Sequence, residues 1–468
     1  MKTIEISNNN SGKQYIGAFA LTMIAIGAIV SVRTIPEIAV YGVSCILTIV
    51  LASSIFMIPI VIASLELSIA FPKGGGMYTW AKEIFNKKIG FFEAYVELAI
   101  NVILMVIILC FICGNILYLI DTNLSNNKLI IFILGTIIFS IITYINCNGL
   151  KLSSTISSIC TILGVFLPIM IIILFGIKNF ISNPHAINYS ISNMIPAWKT
   201  FDYWTSLSSV ALGFSGLEVI VVHVRNVRNV KRDYTISLIT LAIIATILYI
   251  IAPLSVAMVV PKEEILFSSG IAQVIKIFFD NVGMGYMTPI IIILTCIGAL
   301  GSLNSWTISA VKPLWVASED GLCHKMFNKT NKHNAPITLL ILQLIMVIML
   351  FTLIMFVPTA NDFFWIFTVL CCQNAVLVYI IIFPTHIKFT ISRNINIFSK
   401  IWRIKSSIAG IAICLFTFFI GFLPNPIISL AKNKPLYFMI ILIGLILSWV
   451  PAILLYLSGS KKISNKIN

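Results

Sequence analysis

Charge is what this chain has least of. Only 10% of its 468 residues are Asp, Glu, Lys or Arg and 59% are hydrophobic, whereas about a quarter of a water-soluble globule is charged. That balance excludes a soluble globule and leaves an integral membrane protein. Histidine is equally scarce: His185, His223, His324, His333 and His386 sit in loops or at the ends of apolar runs, with no pair that suggests a shared site. Acid–base chemistry in a membrane needs such a constellation, so its absence argues against an embedded enzyme. No filter-like loop repeats, which argues against an ion channel. Long polar stretches are missing too, since the longest, 178–202 and 312–334, are each too short for a core of their own.

Cysteine is present but not paired by pattern. Cys45, Cys110, Cys113, Cys160, Cys296, Cys371, Cys372 and Cys414 fall within apolar runs, and Cys147 and Cys323 lie near or in polar loops. Cys110 and Cys113 form a C-x-x-C with no second pair, inside an apolar helix, which reads as packing. Neither a disulfide, a metal site nor a cofactor is expected.

What the chain does have is apolar length. Twelve runs are each about long enough for a helix to cross roughly 30 Å of hydrocarbon: Tyr15–Val32, Val40–Leu65, Leu98–Ile120, Leu129–Leu150, Leu152–Ile177, Tyr203–Val222, Tyr234–Val260, Val282–Val311, Ala335–Thr359, Phe363–Thr385, Ser406–Ala431 and Pro435–Ser460. Of the 31 Lys and Arg residues, 23 fall at the termini and in the gaps on the same side, and the other eight (Arg33, Lys128, Lys178, Lys199, Lys262, Lys276, Lys432 and Lys434) fall on the opposite side. Short loops rich in Lys and Arg mark the cytoplasmic face, so both termini are expected there. The formal charge of +15 therefore describes orientation in a lipid bilayer and gives no reason to expect nucleic acid.

Function in a bilayer concentrates where a helix breaks or a charge is buried, because each costs several kcal/mol unless protein or water compensates. The first run ends Gly27-Ala28-Ile29-Val30-Ser31-Val32-Arg33-Thr34-Ile35-Pro36, where β-branched residues, a cation and a proline without a backbone donor predict unwinding near Ile29 to Val32. The sixth contains Gly213-Phe214-Ser215-Gly216-Leu217-Glu218, where a helix-interior glycine costs about 1 kcal/mol and a carboxylate roughly 2.5 to 3.5. Two such weak points in the first and sixth runs are the pattern of an inverted-repeat transporter. Glu97 and Asn101 share one helix face and either line a cavity or bond a neighbouring helix. Glu66 reads as a structural partner for a loop cation.

Gly301-Ser302-Leu303-Asn304-Ser305-Trp306-Thr307 through Ser318-Glu319-Asp320-Gly321-Leu322 to Ala335-Pro336 resembles the eighth helix and following loop of the amino acid-polyamine-organocation superfamily. Pro72-Lys73-Gly74-Gly75-Gly76-Met77-Tyr78 and Gly213 to Glu218 look like that family's loop after helix two and its sixth helix. Ile35-Pro36-Glu37 and Val40-Tyr41-Gly42 are most similar to the glutamate/GABA antiporter branch. The usual Gly-Ser-Gly is replaced by Ile29-Val30-Ser31, which sets side-chain bulk where the family has open backbone.

The resemblance implies an all-α integral membrane fold of twelve transmembrane helices: a cytoplasmic tail (1–14), a 5+5 inverted-repeat core (15–177 and 201–385) with discontinuous helices one and six, two peripheral helices (406–460) and a second cytoplasmic tail (461–468). It implies multi-pass residence in the cell membrane as a monomer or homodimer. It also implies secondary active transport by alternating access, exchanging an amino acid such as glutamate for a related amine such as GABA, with proton-coupled symport as the alternative. Unpaired N–H groups at Ile29, Val30, Ser31 and Val32, aided by the positive end of a half-helix, would meet a substrate carboxylate. Carbonyls of Leu212, Gly213 and Phe214 would accept from its amino group. Trp306 would cover the site and Phe214 is a second lid candidate, with Glu97 and Asn101 possible lining. Arg33 would either attract an acidic substrate or snorkel to lipid headgroups, and Glu218 and Glu97 are candidates for proton coupling.

Overall fold

The structure is a computed structural model that describes residues 17–71, 76–148, 162–182, 191–195, 201–216, 227, 229–322, 325–333, 335–393 and 398–464. Its main helices are α1 (Ala18–Ile29), α2 (Thr34–Ala39), α3 (Gly42–Ala70), α4 (Gly76–Ile84), α5 (Lys87–Ile120), α6 (Lys128–Cys147), α7 (Leu163–Ser182) and α8 (Leu207–Phe214). There follow α9 (Lys231–Ala257), α10 (Gly270–Asp280), α11 (Gly285–Glu319), α12 (Ile337–Phe356), α13 (Ala360–Ser392), α14 (Lys400–Ile420) and α15 (Lys434–Ser464). Among the described residues nine of these are long and apolar enough to cross a membrane: α3, α5, α6, α7, α9, α11, α12, α13 and α14.

Boundaries differ from the apolar runs for local reasons. α5 begins at Lys87 rather than Leu98, because the Asn86 side chain accepts from the N–H groups of Lys88 and Ile89 at 3.0 Å each and so caps the helix. α11 continues past Val311 to Glu319. The first run gives no single long helix, since α1 stops at Ile29, and α8 stops at Phe214.

Burial sorts the bundle into inner and outer helices. The apolar window of α5 is 100% buried and that of α13 83%, whereas those of α6, α9, α12 and α14 are 33% buried. The outward stripe of α6, Ile133, Ile137, Ile141 and Tyr144, is exposed at helical spacing, a surface too apolar and continuous for water and suited to lipid. The closest inner crossing is made without side chains. A Cβ on Gly164 would lie 2.1 Å from the Gly298 nitrogen, and one on Gly298 would lie 2.3 Å from the Gly164 carbonyl carbon, so α7 and α11 touch backbone to backbone.

Polar clasps hold both ends of the inner helices. At the α4 end, Tyr78 and Lys82 both donate to the Asp320 carboxylate beyond α11, Lys82 at 2.5 Å. Partial burial pushes the Asp320 carboxyl up, but its hydrogen bonds from Lys82 and Tyr78, with the Lys82 and Lys87 charges, outweigh that and hold it below the usual carboxylate range. Nearby in the chain direction, Glu66 at the end of α3 is ion-paired with Arg403 at 2.5 Å and accepts from His386 at 2.8 Å, and His386 bonds Ser407 at 2.8 Å. The Glu66 pairing with a cation follows the sequence reading; His386, read there as a solvated histidine, is instead fully buried between α3 and α14. At the other end of α5, Asn115 donates to the Ser268 carbonyl at 3.0 Å and accepts from the Ala272 N–H at 2.9 Å, which pins α10 across the bundle.

Substitution of Gly298 by Val is expected to lower the thermal unfolding midpoint of the detergent-solubilised protein, with a cost above about 3 kcal/mol because backbone rather than a rotamer must yield; an unchanged melt would contradict the crossing. For the Asp320 clasp, the carboxyl is held below its unfolded value, so its contribution is complete above the usual carboxylate range and lost as pH falls through the lowered value. Hydrogen-exchange protection in 76–84, taken relative to the intrinsic rate at each pH, should therefore stay flat between about pH 8 and 5 and fall on Asp320→Asn at any pH in that window.

Candidate substrate cavity between two interrupted helices

The interruption after α1 is dictated locally. In a continuous helix the Pro36 ring would collide with the Val32 carbonyl and leave that carbonyl without a donor. Instead the carbonyl of Val32 accepts from Ile35 N–H at 3.2 Å, and that of Ser31 accepts from Thr34 N–H at 3.3 Å and the Thr34 hydroxyl at 2.9 Å. These short-range bonds start α2 with Pro36 in its first turn. Val30 is left in an extended conformation.

A side chain from another helix completes the break. The Tyr249 hydroxyl of α9 donates to the Ile29 carbonyl at 2.8 Å and accepts from the Ser31 N–H at 3.1 Å. One hydroxyl has one donor and two lone pairs, so it joins the last carbonyl of α1 to a donor beyond the gap. The second interruption has a parallel device: Ser215 is extended, Gly216 has φ +112°, and the Gly216 N–H donates to the Tyr379 hydroxyl of α13 at 3.3 Å. That φ is one that side-chain-bearing residues rarely adopt. A Cβ on Gly216 would lie 3.4 Å from Trp306 and 3.5 Å from Ile29, ordinary contact, so the backbone conformation rather than space calls for glycine here.

The break after α1 and the end of α8 open on one cavity. Its wall includes Ile29, Val30, Ser31, Val32 and Arg33 from the first break, Leu212, Gly213 and Ser215 from the second, Trp306 and Ser302 from α11, Gly164 and Val165 from the glycine crossing, and Ile100, Leu104, Ile108 and Phe111 from α5. Of the residues singled out in the sequence, Ile29 to Arg33, Leu212, Gly213 and Trp306 thus share a wall. Others do not. Phe214 is fully buried with its ring edge-on to Tyr249, centroids 5.6 Å apart, so it is packing rather than a lid. Glu97 and Asn101 lie buried off the wall, and the Asn101 amide donates back to the Glu97 carbonyl at 2.7 Å because the two are one helical turn apart. Glu218 lies outside the described residues.

The donor set also needs correction. The Val30 N–H bonds the Ile26 carbonyl at 2.8 Å, as the last bond of α1, and the Ser31 N–H is held by Tyr249. Among the described residues the N–H groups left without a partner at this break are those of Val32 and Arg33. On the other side the Leu212 carbonyl already accepts from the Ser215 N–H at 3.2 Å and the Ser215 hydroxyl at 2.7 Å.

Arg33 sits differently from a headgroup-seeking cation. It is 6% exposed, on the cavity wall, with Nη1 3.7 Å from Oε1 of the fully buried Glu37, whose other oxygen accepts from Ser209 of α8. Sequence reasoning passed over Tyr249, Tyr379, Ser209 and the role of Glu37. Only the Arg33–Glu37 spacing of one helical turn was there to be found; single tyrosines and serines within apolar helices carry no local signal.

Comparison with known proteins gives the family. The amino acid permease family matches residues 16–446. An uncharacterized transporter of Legionella pneumophila is 32% identical over 94% of this chain and 96% of its own length. Glutamate/gamma-aminobutyrate antiporters of Lactococcus lactis subsp. cremoris and subsp. lactis are each 26% identical, over 97% and 94% of this chain and 92% and 89% of theirs. The chain belongs to the amino acid permease family and is a membrane transporter rather than an enzyme.

Proposed function

We propose that this protein is a secondary active transporter that exchanges an amino acid such as glutamate for a related amine such as GABA by alternating access. The observation that carries the reading is that the break after α1, the end of α8 and the Trp306 indole meet on one cavity. The Lactococcus relatives, named for glutamate/gamma-aminobutyrate exchange, support the substrate class. In this reading α1 with α2, and α8 with the segment after it, are the first and sixth of twelve spans. Residues 15–177 and 201–385 then form a 5+5 inverted repeat, and 406–460 lies outside it. The 23-to-8 division of Lys and Arg supports cytoplasmic termini in the cell membrane.

Within the cavity, a substrate carboxylate meets the N–H groups of Val32 and Arg33, and its amino group meets the carbonyl end of α8 at Gly213. The substrate shares the space with Trp306, whose ring lies beside Gly216. Glu218 is retained as a coupling group on its place in the sequence motif alone, while Glu97 and Asn101 have no substrate contact.

Counterflow in proteoliposomes tests the proposal: internal unlabelled amino acid should stimulate uptake of labelled glutamate, and dependence on a pH gradient alone would replace exchange by symport. Trp306→Ala, and Gly213→Leu, whose side chain must grow from a Cβ already 3.3 Å from the Tyr249 ring, should each cut uptake to about 1% with membrane expression intact. Wild-type rates in both would refute the site. Tyr249→Phe leaves the Ile29 carbonyl and Ser31 N–H without their shared partner, and should lower uptake about tenfold, the scale of one buried polar group left unsatisfied.

A further inference from the structure

The Arg33–Glu37 pair is buried and incompletely bonded. The two residues lie one turn apart at the start of α2, 6% and 0% exposed. Their nearest atoms, Arg33 Nη1 and Glu37 Oε1, are 3.7 Å apart, and neither has a hydrogen-bond partner. That separation is beyond a hydrogen bond. The pair therefore has Coulomb attraction without the bonds that normally offset the cost of burying two ions, several kcal/mol each.

The two ends of the pair face different surroundings. Arg33 is on the cavity wall, whereas Glu37 is behind it, with Oε2 bonded by Ser209 of α8. Glu37 thus touches both interrupted elements. The other titratable groups turned towards it are the Tyr249 phenol on α9 and the Cys372 thiol on α13, so Arg33 is its charged neighbour among the described residues.

Resting on the transport reading above, we propose that this pair is the charge-selective element of the cavity: Arg33 binds the side-chain carboxylate of an acidic amino acid, and Glu37 takes up a proton as it loses Arg33. The balance closes in each state. Empty, or holding a neutral zwitterion, the pair is Arg⁺ with Glu⁻ and the cavity is neutral. Holding an acidic zwitterion of charge −1, Arg⁺ is matched by the substrate and Glu37 is a neutral carboxylic acid still able to bond Ser209. The acidic substrate therefore enters with one proton, taken from the side on which it binds. Neutral substrates move without one.

Glutamate and glutamine, alike in size and different by one charge, are the probes. With purified protein in proteoliposomes and a lumenal pH-sensitive dye, glutamate exchanged for internal glutamine should move protons in the wild type, while glutamine–glutamine exchange should not. Glu37→Gln should keep counterflow and lose proton movement. Arg33→Gln should lower the preference for glutamate over glutamine by about thirtyfold or more, the scale for truncating one partner of a buried charge pair. If either single variant fails to fold, as judged by its elution profile and melt, the apolar double variant Arg33→Met/Glu37→Leu removes both charges together, a replacement buried pairs often tolerate; it should exchange glutamine and no longer favour glutamate. Undiminished proton movement in Glu37→Gln, or retained preference in Arg33→Gln or the double variant, overturns the assignment while leaving transport standing. Absence of any amino acid counterflow in the wild type overturns the transport reading and this one with it.

Discussion

Every backbone N–H and C=O inside hydrocarbon needs a partner, and a helix that stops halfway loses several at once. The structure answers that constraint at each break with a phenolic hydroxyl from a different helix. Tyr249 serves the Ile29 carbonyl and the Ser31 N–H together, and Tyr379 serves the Gly216 N–H. Other freed groups turn inwards as short-range bonds, such as Ile35 to Val32 and Ser215 to Leu212, while the Val32 and Arg33 N–H groups stay open at the cavity. Without those partners the interruptions would be too costly to keep, and the cavity between them would close into continuous helix.

Packing around the breaks is arranged to the same end. α5, buried over its whole apolar window, gives the cavity an aliphatic wall, so the polar groups of the site come from the break after α1, the end of α8 and α11. The Gly164–Gly298 contact sets α7 against α11 backbone to backbone, and Trp306 of α11 lies beside Gly216. Clasps at Asp320 and Asn115 sit at opposite ends of α5 and tie peripheral segments to the inner helices without entering the cavity.

Much of this was legible from residues alone, and the division has physical causes. Hydropathy runs show the long helices because hydrocarbon thickness sets a length. The first break was legible because Pro36 removes a donor and clashes one turn back, and the second because Gly213 and Gly216 weaken a helix that also carries Ser215. What the sequence could not show was which freed groups find partners elsewhere. Val30 and Ser31 were expected to be open, but one stays in the helical ladder and the other is held by a tyrosine 218 residues away. Likewise Glu97 and Asn101 share a face, yet periodicity does not say whether that face meets the cavity or its neighbours; here the wall is made by Ile100 and Leu104. His386 looked solvated beside a polar loop because its partner Glu66 is 320 positions distant.

The Tyr249 hydroxyl is a single atom shared by two ends of a gap, and that makes it a mechanical linkage. Its two bonds, 2.8 and 3.1 Å, reach their outer limits after displacements of a few tenths of an ångström. α1, the segment beyond it and α9 therefore form one kinematic unit, and any rocking of the first helix about its gap must either carry α9 along or release one bond first.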